Sequence, residues 1–154
     1  MNGGTCGGFE REGMEVGMVV ACERAVFHDR RIPLPGFDKM GVGEKPLFLP
    51  EGMVEEVGLE VGVVSTGNSL DCSSEDDERM VESGARVKDM ECAAIAWTCS
   101  LSQTPLIAIK SVTDIVDGPK STSEEFLANL QLASTNLADA LEKVVVFICK
   151  NGIN

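Results

Sequence analysis

From residue 59 onward the apolar positions fall in blocks with a regular alternation of period. LEVGVVST (59–66) is short, β-branched and apolar, and it closes on the turn-prone GNS, which predicts a buried strand. SSEDDERMVES places serines and then acids where a helix begins, negative charge meeting the positive end of the macrodipole. ARVKDM (85–90) predicts a short strand and ECAAIAWTCSLSQ a helix of small apolar residues. After the break at Pro105, TPLIAIKSVTD predicts a further strand. Phe126, Leu130, Ala133, Leu137, Leu141, Val144 and Ile148 recur three or four residues apart, so the last segment predicts one long amphipathic helix. Thr122 and Glu125 at its start have capping-box spacing. Strand alternating with helix predicts an α/β layer with largely parallel strands.

The first 50 residues are less regular. VGMVVACERAVFHD predicts a long strand and RRIPLPGFDKMGVGEKP a Pro/Gly-rich loop. MNGGTCGGF reads as a glycine-rich turn with no strand before it: either a turn that lets backbone amides approach a ligand or a flexible end. There is no internal repeat, and 154 residues fit a single domain spanning 1–154.

Charge narrows the partners. With 13 Lys+Arg against 25 Asp+Glu, a net of −12, the chain is a poor match for nucleic acid or an anionic membrane surface. The one basic cluster, HDRR at 28–31, reads as a solvated loop or an interface contact. Six cysteines without CxxC spacing point to a reducing, cytoplasmic setting. The single histidine, His28, does not support a His-based zinc site or a Ser-His-Asp triad, and reads as structural or interfacial. No apolar stretch approaches the roughly 20 residues of a membrane span.

The chemistry collects at two carboxylates. Glu91 follows the strand at 85–90, and Asp114 follows the strand at 106–112, with Asp117 three residues on in SVTDIVDG. If the two strands are neighbours, their ends lie about 4.8 Å apart on the edge where open α/β sheets bind ligands. Beside Lys88 and Lys110, such a pair could donate a proton to a leaving group while holding a sugar. Equally, Glu91 could serve the helix dipole and Asp114 a turn.

KDMECAAIAW followed by KSVTDIVDG resembles the paired motifs of the nucleoside phosphorylase and nucleosidase superfamily. TCGGF, VFHDRRIPLPGFD, STGNSLD and EEFLANL are similar to the plant-type 5'-methylthioadenosine nucleosidases. The resemblance implies a three-layer α/β fold with a mixed sheet flanked by helices, acting on a purine nucleoside without metal or organic cofactor. It implies that Asp114 is the general acid toward adenine N7, that Glu91 binds the ribose hydroxyls and that Met90 packs on sugar and base. It places Thr5 near the ribose, Leu70 at the purine, and Lys88 and Asp89 around the same segment. The loop with Ile32, Leu34 and Pro35 would sit at a homodimer interface. Two departures stand out. Cys92 replaces the family's usual glycine, and Met1 stands where a preceding strand should be ending. The chain is therefore expected to be the C-terminal part of such a fold, lacking the strands that carry the family's water-activating glutamate and leaving a sheet edge unpaired. The alternatives are a catalytically silent fragment that binds purine nucleosides or dimerises, and a purine nucleoside phosphorylase.

Overall fold

The computed structural model describes residues 1–152, the Asp38 side chain apart. In chain order it contains β1 (Asn2–Gly8), a 3-10 turn (Glu10–Glu12), β2 (Val19–Phe27), α1 (Asp38–Val42), β3 (Lys45–Pro46) and α2 (Met53–Val57). There follow β4 (Glu60–Thr66), α3 (Ser74–Ser83), β5 (Ala85–Asp89), α4 (Cys92–Leu101), β6 (Ala108–Ile115) and the long α5 (Thr122–Asn151). The elements expected from residue 59 onward are all present. α3 starts with a full capping box, Ser73 and Asp76 each taking the other's backbone N–H. α5 does not: its N-cap is Ser121 without a side-chain cap, and Glu125 Oε2 instead accepts the Ile115 N–H at 3.0 Å. A carboxylate drawn to an orphan amide on β6 ties the helix to the sheet.

The strands run in the order β3-β2-β4-β5-β1-β6, and β6 pairs back onto β2. Pairing is parallel for β2–β4, β4–β5 and β1–β6 and antiparallel for β5–β1, β6–β2 and β2–β3, so the fold is α/β on a mixed sheet. Three expectations change. The glycine-rich start is a strand, β1, held by ladders on both sides rather than by side-chain propensity. β5 and β6 are not neighbours, because β1 lies between them. The open sheet edge is absent around β2, β4, β5, β1 and β6, which form a closed circuit. Nine-residue β2 reaches both flanks, its ladder with β4 irregular between Cys22 and Arg24, a break of the kind that bends a strand toward closure.

Alternate residues of the strands feed two cores. Ala21 and Ile109 join Met53 of α2 and Val144 and Phe147 of α5, while Val20, Cys22, Val64, Val87, Cys92 and Val112 make the other. Within this second region lies a buried ion pair. Lys110 Nζ stands 2.6 Å from Asp89 Oδ2, both side chains 1% exposed. A Cβ on Gly4 of β1 would come 3.1 Å from that Nζ, a tight approach that glycine avoids in the strand between the partners. Asp89 also accepts from Thr66 Oγ1 at 2.5 Å and Cys92 N at 3.0 Å, and Thr66 Oγ1 accepts from Ala93 N at 2.9 Å. Burial alone would lower the Lys110 pKa, but the charge and hydrogen bond of Asp89 outweigh it and hold the ammonium above its ordinary value.

Removing one partner of this pair strands the other charge in the core. Lys110→Met should lower unfolding stability by about 3–5 kcal/mol, and adding Asp89→Leu should recover most of the loss. Urea unfolding at neutral pH reads both; a single variant within about 1 kcal/mol of the parent would show the pair to be dispensable.

Candidate active site

β1 carries Gly7 between Lys88 of β5 and Asp114 of β6, and this row of three forms one wall of a cavity of about 460 Å³. That volume suits a nucleoside-sized ligand. The β1–β6 ladder is in register through Cys6 opposite Val112, then resumes with Gly7 opposite Asp114, leaving Thr113 as the extra residue of a bulge. Beyond the bulge, Asp114 lines the cavity instead of the core. Here too β5 and β6 matter by their directions: they run antiparallel to each other across β1, so Glu91 and Asp114 meet through β1 and not as neighbours on one carboxyl edge.

All seven residues the sequence puts forward line the cavity: Thr5, Leu70, Lys88, Asp89, Met90, Glu91 and Asp114. Their side chains are not equally free. Lys88 is buried and donates to the carbonyls of Leu70 (2.5 Å) and Asp71 (3.2 Å), so it clamps the loop after β4. Asp89 turns its carboxylate to Lys110, Thr66 and Cys92 N, which makes it a support beneath the wall. Glu91 is exposed at the N-cap of α4 and makes no capping bond there, leaving its carboxylate to face the opening. Met90 and Leu70 are exposed apolar surface at the same rim.

Asp114 is 3% exposed. Its Oδ1 accepts from Thr113 Oγ1 at 2.6 Å, and its Oδ2 lies beside Gly7, where a Cβ would come within 2.9 Å. Burial raises its pKa above the ordinary carboxylate value; the nearby Glu125 charge adds to this, and the Thr113 hydroxyl and Lys88 oppose it without prevailing. A carboxyl whose protonated form is favoured by burial beside a cavity is suited to acid catalysis. Asp117, three residues on, does different work: it accepts from the amides of Glu10 (2.7 Å) and Arg11 (3.2 Å) and fixes the 3-10 turn after β1.

Other candidates resolve as supports. His28 is buried, its Nδ1 3.0 Å from Ser65 Oγ, and burial together with the Lys88 charge lowers its pKa. It packs so tightly under Gly67 that a Cβ there would lie 2.1 Å from Nε2, which fixes where the Leu70 loop departs. Arg31 pairs with Glu75 and Asp76, and Arg30 stacks over Phe27 and Trp97. Cys6 lines the cavity, but burial drives its thiol far up, and Cys92 is pushed up to about 12, which leaves neither as a ready nucleophile. Among the described residues no group of three metal-ligating side chains assembles. Sequence reasoning missed Cys6, Thr113 and the start of α5, where Thr122, Ser123, Phe126 and Leu127 line the cavity. Phe126 belongs to the helical stripe, and periodicity does not separate a residue facing a cavity from one facing the core.

Residues 1–146 match the family model described as the phosphorylase superfamily. The chain is 45% identical over 154 residues to a 5'-methylthioadenosine nucleosidase of Arabidopsis thaliana, covering 100% of this chain and 57% of that one. It is 45% identical over 148 residues to a 5'-methylthioadenosine/S-adenosylhomocysteine nucleosidase of the same plant, covering 96% and 58%. The chain thus spans somewhat over half the length of these relatives. The solved apo structure of the Arabidopsis 5'-methylthioadenosine nucleosidase aligns with a TM-score of 0.92, over 97% of this chain and 61% of that one, at 45% identity. Futalosine hydrolase of Helicobacter pylori, at 21% identity and a TM-score of 0.76, shares the fold.

The raised Asp114 pKa has a sign that stability measurements test. Between the unfolded value near 3.9 and its higher folded value, the folded state holds the proton that the unfolded state has lost, so this contribution is full at low pH and fades as pH rises. Asp114→Asn removes the cost of the buried charge. Its melting temperature should equal that of the parent at pH below the unfolded value and exceed it by a margin that grows as pH rises from there through the folded value. A difference that is flat or shrinks with pH would contradict the assignment.

Proposed function

Because the chain belongs to the phosphorylase superfamily, we propose that it hydrolyses the N-glycosidic bond of 5'-methylthioadenosine, giving adenine and 5-methylthioribose in methionine salvage. The observation that carries this reading is the buried carboxyl of Asp114, its pKa raised by burial, on the wall of a nucleoside-sized cavity. In this scheme the C1'–N9 bond breaks with its electron pair going to the base, Asp114 gives its proton to N7, and water adds at C1' of the oxocarbenium-like sugar, releasing a proton to solvent while the Asp114 carboxylate takes one back from solvent. Glu91 holds the ribose hydroxyls from the opposite rim. Met90 packs against sugar and base, and Leu70 lies over the purine with backbone groups of its loop at the adenine edge. Thr5 stands on β1 near the ribose.

Water rather than phosphate is favoured as the nucleophile by the state of the lysines. Lys88 is the one cation among the described residues lining the cavity, and its ammonium is committed to the Leu70 and Asp71 carbonyls. Lys110 is committed to Asp89. A phosphate dianion at this wall would have to compete with these carbonyls and with Asp89 for the ammonium groups. The homodimer belongs to the same proposal. Leu34, Phe37 and Met40 are exposed on the segment between β2 and β3, beside Ile32 and Pro35, and this apolar surface is suited to a second copy of the chain. Among the described residues no helix is long and apolar enough to cross a membrane, in keeping with a cytoplasmic enzyme.

Incubated with 5'-methylthioadenosine in phosphate-free buffer, the purified chain should release adenine, and Asp114→Asn should reduce the rate about 10²–10⁴-fold. Dependence on added phosphate would indicate phosphorolysis. Ligand binding without adenine release would make the chain a purine-nucleoside-binding fragment, and unchanged turnover in the Asn variant would remove Asp114 from the acid role.

A further inference from the structure

The bulge that aims Asp114 also creates a conflict over one proton. Thr113 Oγ1 lies 2.6 Å from Asp114 Oδ1 and 3.0 Å from the Cys6 carbonyl oxygen, both acceptors within hydrogen-bond reach. A threonine hydroxyl has a single hydrogen to donate. Thr113 is 1%, Asp114 3% and Cys6 4% exposed, so the hydroxyl and its two acceptors are buried together. The backbone around it is fixed: the Thr113 carbonyl accepts from Asn129 Nδ2 at 3.0 Å, Val112 N donates to Met18 O at 2.9 Å, and Gly17 N donates to Val112 O at 2.8 Å. What remains free is the hydroxyl rotor.

We propose that Thr113 is a positioning residue for the acid step, its hydroxyl donating to the Cys6 carbonyl while Asp114 is neutral and turning to Asp114 Oδ1 once Asp114 has given its proton away. The inference rests on the reading of Asp114 as the acid. Its physical basis is the change in acceptor strength. A neutral carboxyl competes weakly with an amide carbonyl for a donor, whereas a carboxylate forms a charge-assisted bond about twice as strong. The charged or titratable groups facing Asp114 are Lys88 from β5, Glu125 from α5 and the Cys6 thiol from β1. Lys88 donates to the Leu70 and Asp71 carbonyls, and Glu125 is an acceptor engaged by the Ile115 amide. Among the described residues, Thr113 is thus the side chain that donates to the carboxylate. The proton passed to the leaving base departs from Asp114, on the oxygen beside Gly7; the Thr113 proton stays on Thr113 and only its hydrogen bond is redirected. No further reactant is needed.

The test follows the carboxyl carbon of Asp114 and the carbonyl carbon of Cys6 by carbon-13 NMR across pH, with Asp114→Asn used for assignment. In the parent protein, the Cys6 carbonyl should titrate in step with Asp114 as the hydroxyl leaves it. In Thr113→Val the Asp114 pKa should rise by about one to two units and the Cys6 carbonyl should no longer follow it, while Thr113→Ser should behave as the parent. The kcat of adenine release should fall about 10–100-fold in Thr113→Val with KM little changed, and return in Thr113→Ser. A Cys6 carbonyl that does not titrate in the parent, or an Asp114 pKa unmoved or lowered in Thr113→Val, overturns the proposal; the first result decides even where the valine variant does not fold. If the NMR behaviour is as expected and Asp114→Asn still releases adenine at the parent rate, the acid assignment fails while the hydroxyl's two positions stand.

Discussion

The ion pair of Lys110 and Asp89 is the contact through which the core and the cavity wall are joined. It spans β1, linking β6 to the end of β5, and it sits among Cys6, Cys22 and Cys92, where an unpaired charge would be strongly disfavoured. Because Asp89 also takes Thr66 Oγ1 and Cys92 N, and Thr66 takes Ala93 N, the pair fixes how α4 leaves the sheet. Met90 and Glu91 are the two residues between these anchored points. Their position at the rim follows from the buried carboxylate before them and the pinned amides after them, which explains how two exposed side chains on a short connection can be held for use.

β1 supplies the other constraint. A strand of glycines contributes little packing of its own, yet it lets three things approach closely: the Lys110 ammonium under Gly4, the Asp114 carboxylate against Gly7, and the partner strands on each side. The closed circuit depends on this strand occupying the place between β5 and β6. Since β5 runs against β1 and β6 runs with it, the wall combines the end of one strand with the end of another that points the opposite way. The row Lys88, Gly7, Asp114 is a product of that crossing, and the bulge at Thr113 completes it by setting Asp114 outward from the packed interior.

What could be read in the chain beforehand depended on which force set each feature. Burial wrote the β-branched run ending at Thr66 and the stripe of α5 plainly, because apolar periodicity is the record of burial. β1 was illegible as a strand for the complementary reason: its signal is the absence of side chains, and the ladders that make it a strand belong to residues about a hundred positions away. Propensity counts glycine against a strand, and the neighbours override it. The motif residues around Glu91 and Asp114 could be picked out as chemical candidates, but their division of labour could not. Lys88 and Asp89 sit in sequence beside Met90 and Glu91, and only the three-dimensional partners turn the first two inward to a loop and a buried lysine.

Asp89, Asp117, Glu91 and Asp114 differ in the donors that surround them, and it is on that difference rather than on sequence position that our reading of Asp114 as the acid rests. Asp89 is buried and engaged by an ammonium, a hydroxyl and an amide. Asp117 receives two amides at the surface, and Glu91 faces solvent at a helix start. Asp114 alone of these combines near-complete burial with a single shared hydroxyl donor and a like charge nearby. Burial without enough donors is the condition that makes a carboxyl hold its proton, and a cavity beside it is the condition that makes the proton useful. The same two conditions set the limit on the fold at this point. A second donor to Asp114 would stabilise the local structure at neutral pH and, by favouring the anion, work against the raised pKa on which our reading of this residue rests.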